Sequence, residues 1–267
     1  MKQALSKKLI LFATGAAIIV ASVVFGIAKV RSVMNGSKAN ATRLDRMPRV
    51  MLWAWERPTD LRFINPRGTG VAFLARTIRL HSSEIEVRPR LQPLDLPEAT
   101  SVMAVARVET DAVHKPEFSA LQRDRVAGAI AGMAKLPNVS NIQIDFDAPQ
   151  SERVFYRDVI FEVRRRLPDS VGLSITALAS WCTYDDWLSD LPIDEAVPML
   201  FRMAGDGKQI ARRLDAGEDF LALPCRHSYG ISIDEPRSGL SMTRRRFVFN
   251  PGSWTEDSVR AILESQK

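Results

Sequence analysis

Asn141-Ile142-Gln143-Ile144-Asp145-Phe146-Asp147 alternates strictly, apolar side chains on one face and polar ones on the other. A period of two is that of a β-strand. Pro149 then breaks the ladder, and Ser151 is a good N-cap for a helical run over residues 151–167, in which Phe155, Val159 and Val163 recur at helical spacing. A strand, a turn and a helix in this order put Asp145 and Asp147 at the strand's C-terminal end. In parallel α/β folds ligands bind at that end. The two carboxylates share a face, with Cβ atoms about 6–7 Å apart from the strand rise. Ile142, Ile144 and Phe146 make the other face apolar, so the segment reads as an interior strand.

Seven more apolar runs flank this one, at residues 50–55, 70–74, 102–106, 173–178, 196–201, 220–223 and 247–249. Helical stretches are predicted at 119–136 and from about 255 onward, with short ones near 184–188 and 209–214. Residues 78–96 read as a hairpin or irregular loop, interrupted by prolines. Eight strand runs within about 200 residues suggest an α/β fold, a compact (β/α)8 TIM-like barrel with several shortened helices. An open doubly wound sheet is the alternative. The strand runs repeatedly end in polar or aromatic residues: Glu56, Glu109, Asp145 and Asp147, Trp181, Arg202, His227 and Trp254. A closed barrel would gather all of these at one mouth.

The chain has 267 residues and a formal net charge of +6. Residues 1–49 hold nine Lys or Arg and one acid, and beyond them acids outnumber bases by two. The basicity therefore belongs to the N-terminal segment, and no nucleic-acid partner is expected. Residues 9–28 carry no charge, and twenty such residues are enough to cross a bilayer. Residues 1–32 are read as a signal anchor or a signal peptide. Residues 33–49 are read as a linker, and 50–267 as the barrel domain. The body is expected outside the cytoplasm, periplasmic or otherwise extracytoplasmic, with the inner membrane as partner of the N-terminal helix.

Nucleotide and metal motifs are missing. Gly205-Asp206-Gly207-Lys208 lacks the spacing of a phosphate-binding loop, and no Gly-x-Gly-x-x-Gly opens a helix. His81, His114 and His227 have no paired ligand spacing. No cofactor and no metal are expected. Cys182 and Cys225 are the only cysteines, and each follows a predicted strand end. They are expected either to form a disulfide on the mouth side or to stay as buried thiols.

Several stretches together resemble one bacterial family, the domain of unknown function numbered 3142. They are Trp53 to Pro58, Gly70 to Ala75, Ile144 to Asp147 with Ser151 to Arg153, Ser174 to Cys182, Ala196 to Met203, and Gly230 to Pro236. The resemblance implies the domain and no particular activity. More distantly, Ile142 to Pro149 is similar to the fourth-strand motif of chitinase-like family-18 glycoside hydrolases, D-x-x-D-x-D-x-E. Asp145 and Asp147 match its last two aspartates, Ile142 replaces its first, and Pro149 stands where its catalytic Glu belongs.

These readings converge on a glycoside hydrolase-like barrel that acts on an extracytoplasmic polysaccharide. A non-catalytic glycan-binding or envelope-assembly protein on the same barrel is the alternative. Asp145, Asp147, Glu152 and Glu56 are the candidate catalytic carboxylates, because glycoside cleavage needs one protonated and one ionised carboxyl group. Trp55, Glu109, Trp181, Arg202, His227 and Trp254 are the candidate glycan-binding residues, the tryptophans as flat faces for sugar rings. Trp53 is read as core. Asp147 is expected nearest the ligand and Asp145 deeper. Ser174 and Thr176 are expected to donate to Asp145, and Arg202 to be the cation that reaches the pair.

Overall fold

The computed structural model describes residue 43 and residues 46–264. The chain divides into two units, Met1–Thr42 and Arg43–Lys267. The apolar run 9–28 lies outside the described residues. Among the described residues, no helix is long and apolar enough to cross a membrane.

Eleven strands follow one another among the described residues: β1 (Val50–Ala54), β2 (Thr59–Asp60), β3 (Thr69–His81), β4 (Glu84–Pro89), β5 (Leu94–Asp95), β6 (Val102–Thr110), β7 (Val139–Asp145), β8 (Gly172–Leu178), β9 (Glu195–Met199), β10 (Ser228–Ser232) and β11 (Arg245–Phe249). Eight of them are parallel neighbours in the order β1, β3, β6, β7, β8, β9, β10, β11, and β1 pairs with both β3 and β11. The sheet therefore closes on itself as a (β/α)8 barrel, and the open-sheet alternative falls. Strand β4 returns antiparallel along β3, and β2 pairs with β5 as a separate small sheet.

Helices fill only part of the outer layer. Helix α1 (Ala120–Ala131) links β6 to β7, and α2 (Arg153–Arg166) links β7 to β8. The short α3 (Ala179–Tyr184) precedes β9, α4 (Gly207–Asp215) precedes β10, and α5 (Glu256–Glu264) follows β11. The connections β1–β3, β3–β6 and β10–β11 carry no α-helix. Ser119 and Gln122 close a capping box on α1, and the Gln122 amide also donates to Ser82 O and Glu84 O, tying the helix to the β3–β4 hairpin. Ser151 is not the cap of α2. A 3-10 turn, Gln150–Glu152, comes first, and Glu152 stands at the N-cap without a side-chain bond.

The seventh strand lies later than the sequence suggests. Residues 220–223 are apolar but not extended: Phe220 is buried while Leu221 and Leu223 are exposed, and Leu223–Arg226 forms a 3-10 turn. Pro224 has no N–H to give a sheet. The strand is instead Ser228–Ser232, whose even-numbered positions are Ser, Gly and Ser. A Cβ on Gly230 would meet Met199 Sδ at 2.8 Å and a Trp53 ring carbon at 3.2 Å. The inward face of this strand must therefore be small, and that hides its periodicity.

The interior of the barrel is packed by Met51, Trp53, Ala72, Met103, Val105, Val197 and Phe247. At the N-terminal end, buried Arg245 donates from Nη1 to Glu195 Oε2 at 2.9 Å and from Nε to Pro48 O. Near that end Arg43 also pairs with Asp194 at 2.7 Å. Outside the barrel a larger cluster joins Ile142, Ile144, Phe155, Tyr156 and Val159 to the faces of the neighbouring strands. Cys182 on α3 and Cys225 in the 3-10 turn are joined by a disulfide in this outer cluster, with Cα atoms 5.8 Å apart. The bond thus sits behind the sheet rather than on the mouth side, because Cys225 precedes its strand instead of following it.

Candidate functional site

At the C-terminal ends of the strands the barrel opens into a cavity of about 410 Å³. Its floor is a polar chain across the interior. Trp53 Nε1 donates to Gln143 Oε1 at 2.9 Å, and Gln143 Nε2 donates to Ser174 Oγ at 3.2 Å, all buried. Each of these groups is satisfied in a place where an unpaired one would be costly. Strand β7 delivers Gln143 and Asp145 upward along one face, as the alternation requires, and Asp147, two residues past the end of the strand, lines the same cavity.

Asp145 sits one layer above Gln143. Its Oδ1 accepts from Thr176 Oγ1 at 2.7 Å and its Oδ2 from Arg107 Nη1 at 2.8 Å. Arg107 lies opposite Asp145 in the β6–β7 register, which sets the two side chains together. The same Nη1 stands 3.3 Å from Asp147 Oδ2, and Arg107 Nε stands 3.8 Å from Glu109 Oε1. One guanidinium thus serves three carboxylates. Burial acts to lower the Arg107 value, but Asp145 first, then Asp147 and Glu109, raise it above the ordinary one.

Asp147 differs from Asp145 in access. Its side chain is 53% exposed against 8% for Asp145. Partial burial pushes the Asp147 carboxyl above its usual value, the Asp145 charge pushes the same way, and Arg107 pulls back less strongly. Solvent at the mouth screens these effects in part.

The walls are aromatic and mixed in charge. Trp55 meets Phe249 edge to face, and Phe201 and Phe249 stack with centroids 5.4 Å apart. Arg202 lies over the Phe249 ring at 5.3 Å. Glu56 faces the cavity from the end of β1, with Thr77 Oγ1 at 3.4 Å from its carboxylate. Thr77 reaches the lining because β3 carries a bulge: Leu74 pairs with Val105 and Arg76 with Ala106, so Ala75 is an extra residue. The bulge sends Arg76 outward to Ala129 O on α1 and turns Thr77 inward.

Glu56, Trp55, Glu109, Asp145, Asp147 and Arg202 are therefore brought together in one lining. Four other expected residues are not. Trp181 is buried in the outer layer against Trp187, with Arg153 over both rings. It belongs to a helix that folds back over the sheet. Trp254 donates from Nε1 to Trp53 O and packs outside the barrel, because the chain turns outward after Phe249. His227 precedes β10 and is exposed at the opposite end of that strand from the mouth. Glu152 is turned to the Thr110 hydroxyl, and burial raises its carboxyl value. Arg202 reaches Asp234, at 3.7 Å, and its backbone N–H bonds Glu235; the cation on the aspartate pair is Arg107. Thr176 donates to Asp145 as expected, whereas Ser174 serves Gln143. Arg107 and the Phe201–Phe249 stack were not singled out from sequence. The same-face spacing of Arg107 and Glu109 at a strand end was the available signal.

No family model matches the chain, so the resemblance to the domain of unknown function rests on the motifs alone. No curated protein matches it either. Among solved structures, the chitinase domain of the spore coat protein CotE from Clostridium difficile aligns with a TM-score of 0.37 and 12% sequence identity. That alignment covers 64% of this chain and 61% of the other, less than two thirds of its length.

Proposed function

We propose that the mouth binds a saccharide and that Asp147 exchanges a proton with it, in a glycoside hydrolase-like reaction. The carrying observation is the Asp147 carboxyl: half exposed, raised by burial and by Asp145, and set in an aromatic-walled cavity. A carboxyl group tuned upward beside a charge-compensated neighbour is the arrangement that general acid chemistry needs. Glycoside cleavage also needs a second carboxylate near the bond. Glu56, three strands away around the barrel, takes that role here. Asp147 gives its proton to the leaving oxygen as the glycosidic bond breaks, and Glu56 accepts a proton from the attacking water. Trp55 and Phe249, partly exposed in the lining, offer apolar surface for sugar rings.

A second reading, glycan binding without cleavage, is favoured by one observation. Pro149 begins the turn after β7, and the nearest following acid, Glu152, faces Thr110 instead of the cavity. Release of reducing ends from a panel of cell-wall and exopolysaccharide substrates separates the two. The first reading expects product from the native protein, and binding without product from Asp147→Asn. Binding without product from the native protein favours the second, and no binding by any member of the panel rejects both.

We also infer that the barrel works outside the cytoplasm, tethered through residues 9–28. The Cys182–Cys225 bond suits an oxidising compartment, and the apolar run is long enough for a membrane anchor. A reporter fused after the C-terminus that is active only in the cytoplasm would overturn this.

A further inference from the structure

We propose that the saccharide taken by this mouth is cationic, a polymer of amino sugars bearing free ammonium groups; this rests on the saccharide reading above. Glu109, Asp145 and Asp147 share Arg107, and Asp145 takes the shortest of its contacts. The wall made by β6 and β7 thus carries two carboxyl groups, Asp147 and Glu109, beyond the one its arginine balances; with Asp147 protonated as the acid, Glu109 remains as the uncompensated charge. Both are open to solvent, at 53% and 45% exposure. They also line a neighbouring groove of about 440 Å³, so a ligand can approach them from two sides.

The other charges nearby do not cancel this excess. Arg79 in that groove is paired with Asp111 at 2.9 Å. Arg202 is engaged by Asp234 and lies over Phe249. Arg88 and Glu56 face the cavity and offset each other in charge. A metal ion is a poor alternative occupant, since no group of three or more ligating side chains able to hold one occurs among the described residues. An ammonium group suits the site instead. It is a compact cation with three donors; Glu109 supplies an ionised acceptor with open lone pairs, and Asp147, whose proton goes to the leaving oxygen, accepts through its carbonyl oxygen. The partly exposed Trp55 and Phe249 supply the apolar surface that a sugar ring covers. An amine-bearing sugar ring combines both in one ligand.

The test is calorimetric titration of the full chain, at low temperature in a mildly acidic buffer, with two hexamers of the same backbone: β-1,4-linked glucosamine and β-1,4-linked N-acetylglucosamine. The charged hexamer is expected to bind about tenfold more tightly, the scale of one charge-assisted contact. That preference is expected to shrink with added salt and to approach unity in Glu109→Gln. An N-acetylated hexamer that binds as well as or better than the charged one overturns the inference and leaves the saccharide reading standing. If neither hexamer binds, the inference falls, and the saccharide reading falls with it only if the wider panel also fails. Hexalysine that binds as tightly as the glucosamine hexamer would assign the acidic wall to peptide cations and overturn the proposal as well.

Discussion

Asp145 ends β7 and Asp147 follows two residues later, and they should answer substitution in different ways. Asp147 has a raised value in the folded protein. Between the ordinary carboxylate value and that raised one, the folded state holds more protons than the unfolded chain, so stability falls as pH rises through that window. Below the window both states are protonated and the contribution vanishes. Asp147→Asn should remove this slope: its melting temperature should decline less than that of the native protein as pH climbs from the carboxylate range toward neutrality, while turnover is lost. A native profile no steeper than the variant's would contradict the assignment. Asp145→Asn should behave otherwise, because its carboxylate compensates Arg107 and accepts from Thr176 in a buried position. It should lower stability by about 1–3 kcal/mol, read as a shifted urea midpoint at unchanged slope. Thr176→Val should cost about 1 kcal/mol by the same measurement, because it removes a single hydrogen bond and leaves the ion pair in place.

The elements differ in how plainly their residues announce them. Strand β7 was legible because both its faces are uniform, apolar outward and polar inward, and its C-terminal acids pointed to the site. Strand β10 was not, because its inward positions are Ser228, Gly230 and Ser232. The bulky ring of Trp53 and the side chain of Met199 fill the space there, so the strand could not carry an apolar inner row. Gly230→Ala should overpack the interior and cost about 1–3 kcal/mol, measured by chemical denaturation. A neutral result would show that Met199 yields freely. The bulge at Ala75 was equally hidden. It depends on the register between β3 and β6, a long-range property with no local spelling in Gly70 to Thr77. The consequence for the site is direct, since Thr77 would face outward without it. Arg107 is hidden for a related reason: beyond Glu109 on its own strand, the arginine gains its role from Asp145 and Asp147, which only the β6–β7 register brings to it.

At the scale of the whole molecule, barrel closure could be read from the strand runs that end in polar or aromatic groups, although three of those ends, at Trp181, His227 and Trp254, lie elsewhere. Those three failed because the path of the chain after each strand, not the strand itself, decides where the next residue points. The Cys182–Cys225 bond shows the same dependence on chain path, and it spans 43 residues. By the loop-closure argument it should contribute about 3–4 kcal/mol. Cys182→Ser should therefore melt at a lower temperature than the native protein, and reductant should close most of the gap. The bond also encloses β9 and α4 in a covalent ring. A protease that cuts after the exposed Leu221 severs the backbone within that ring, yet both halves stay attached. Such a digest should run as one band without reductant and as two with it. To a cleaving enzyme this sector of the barrel is a closed hoop: one cut opens it, and only a second cut can carry a piece away.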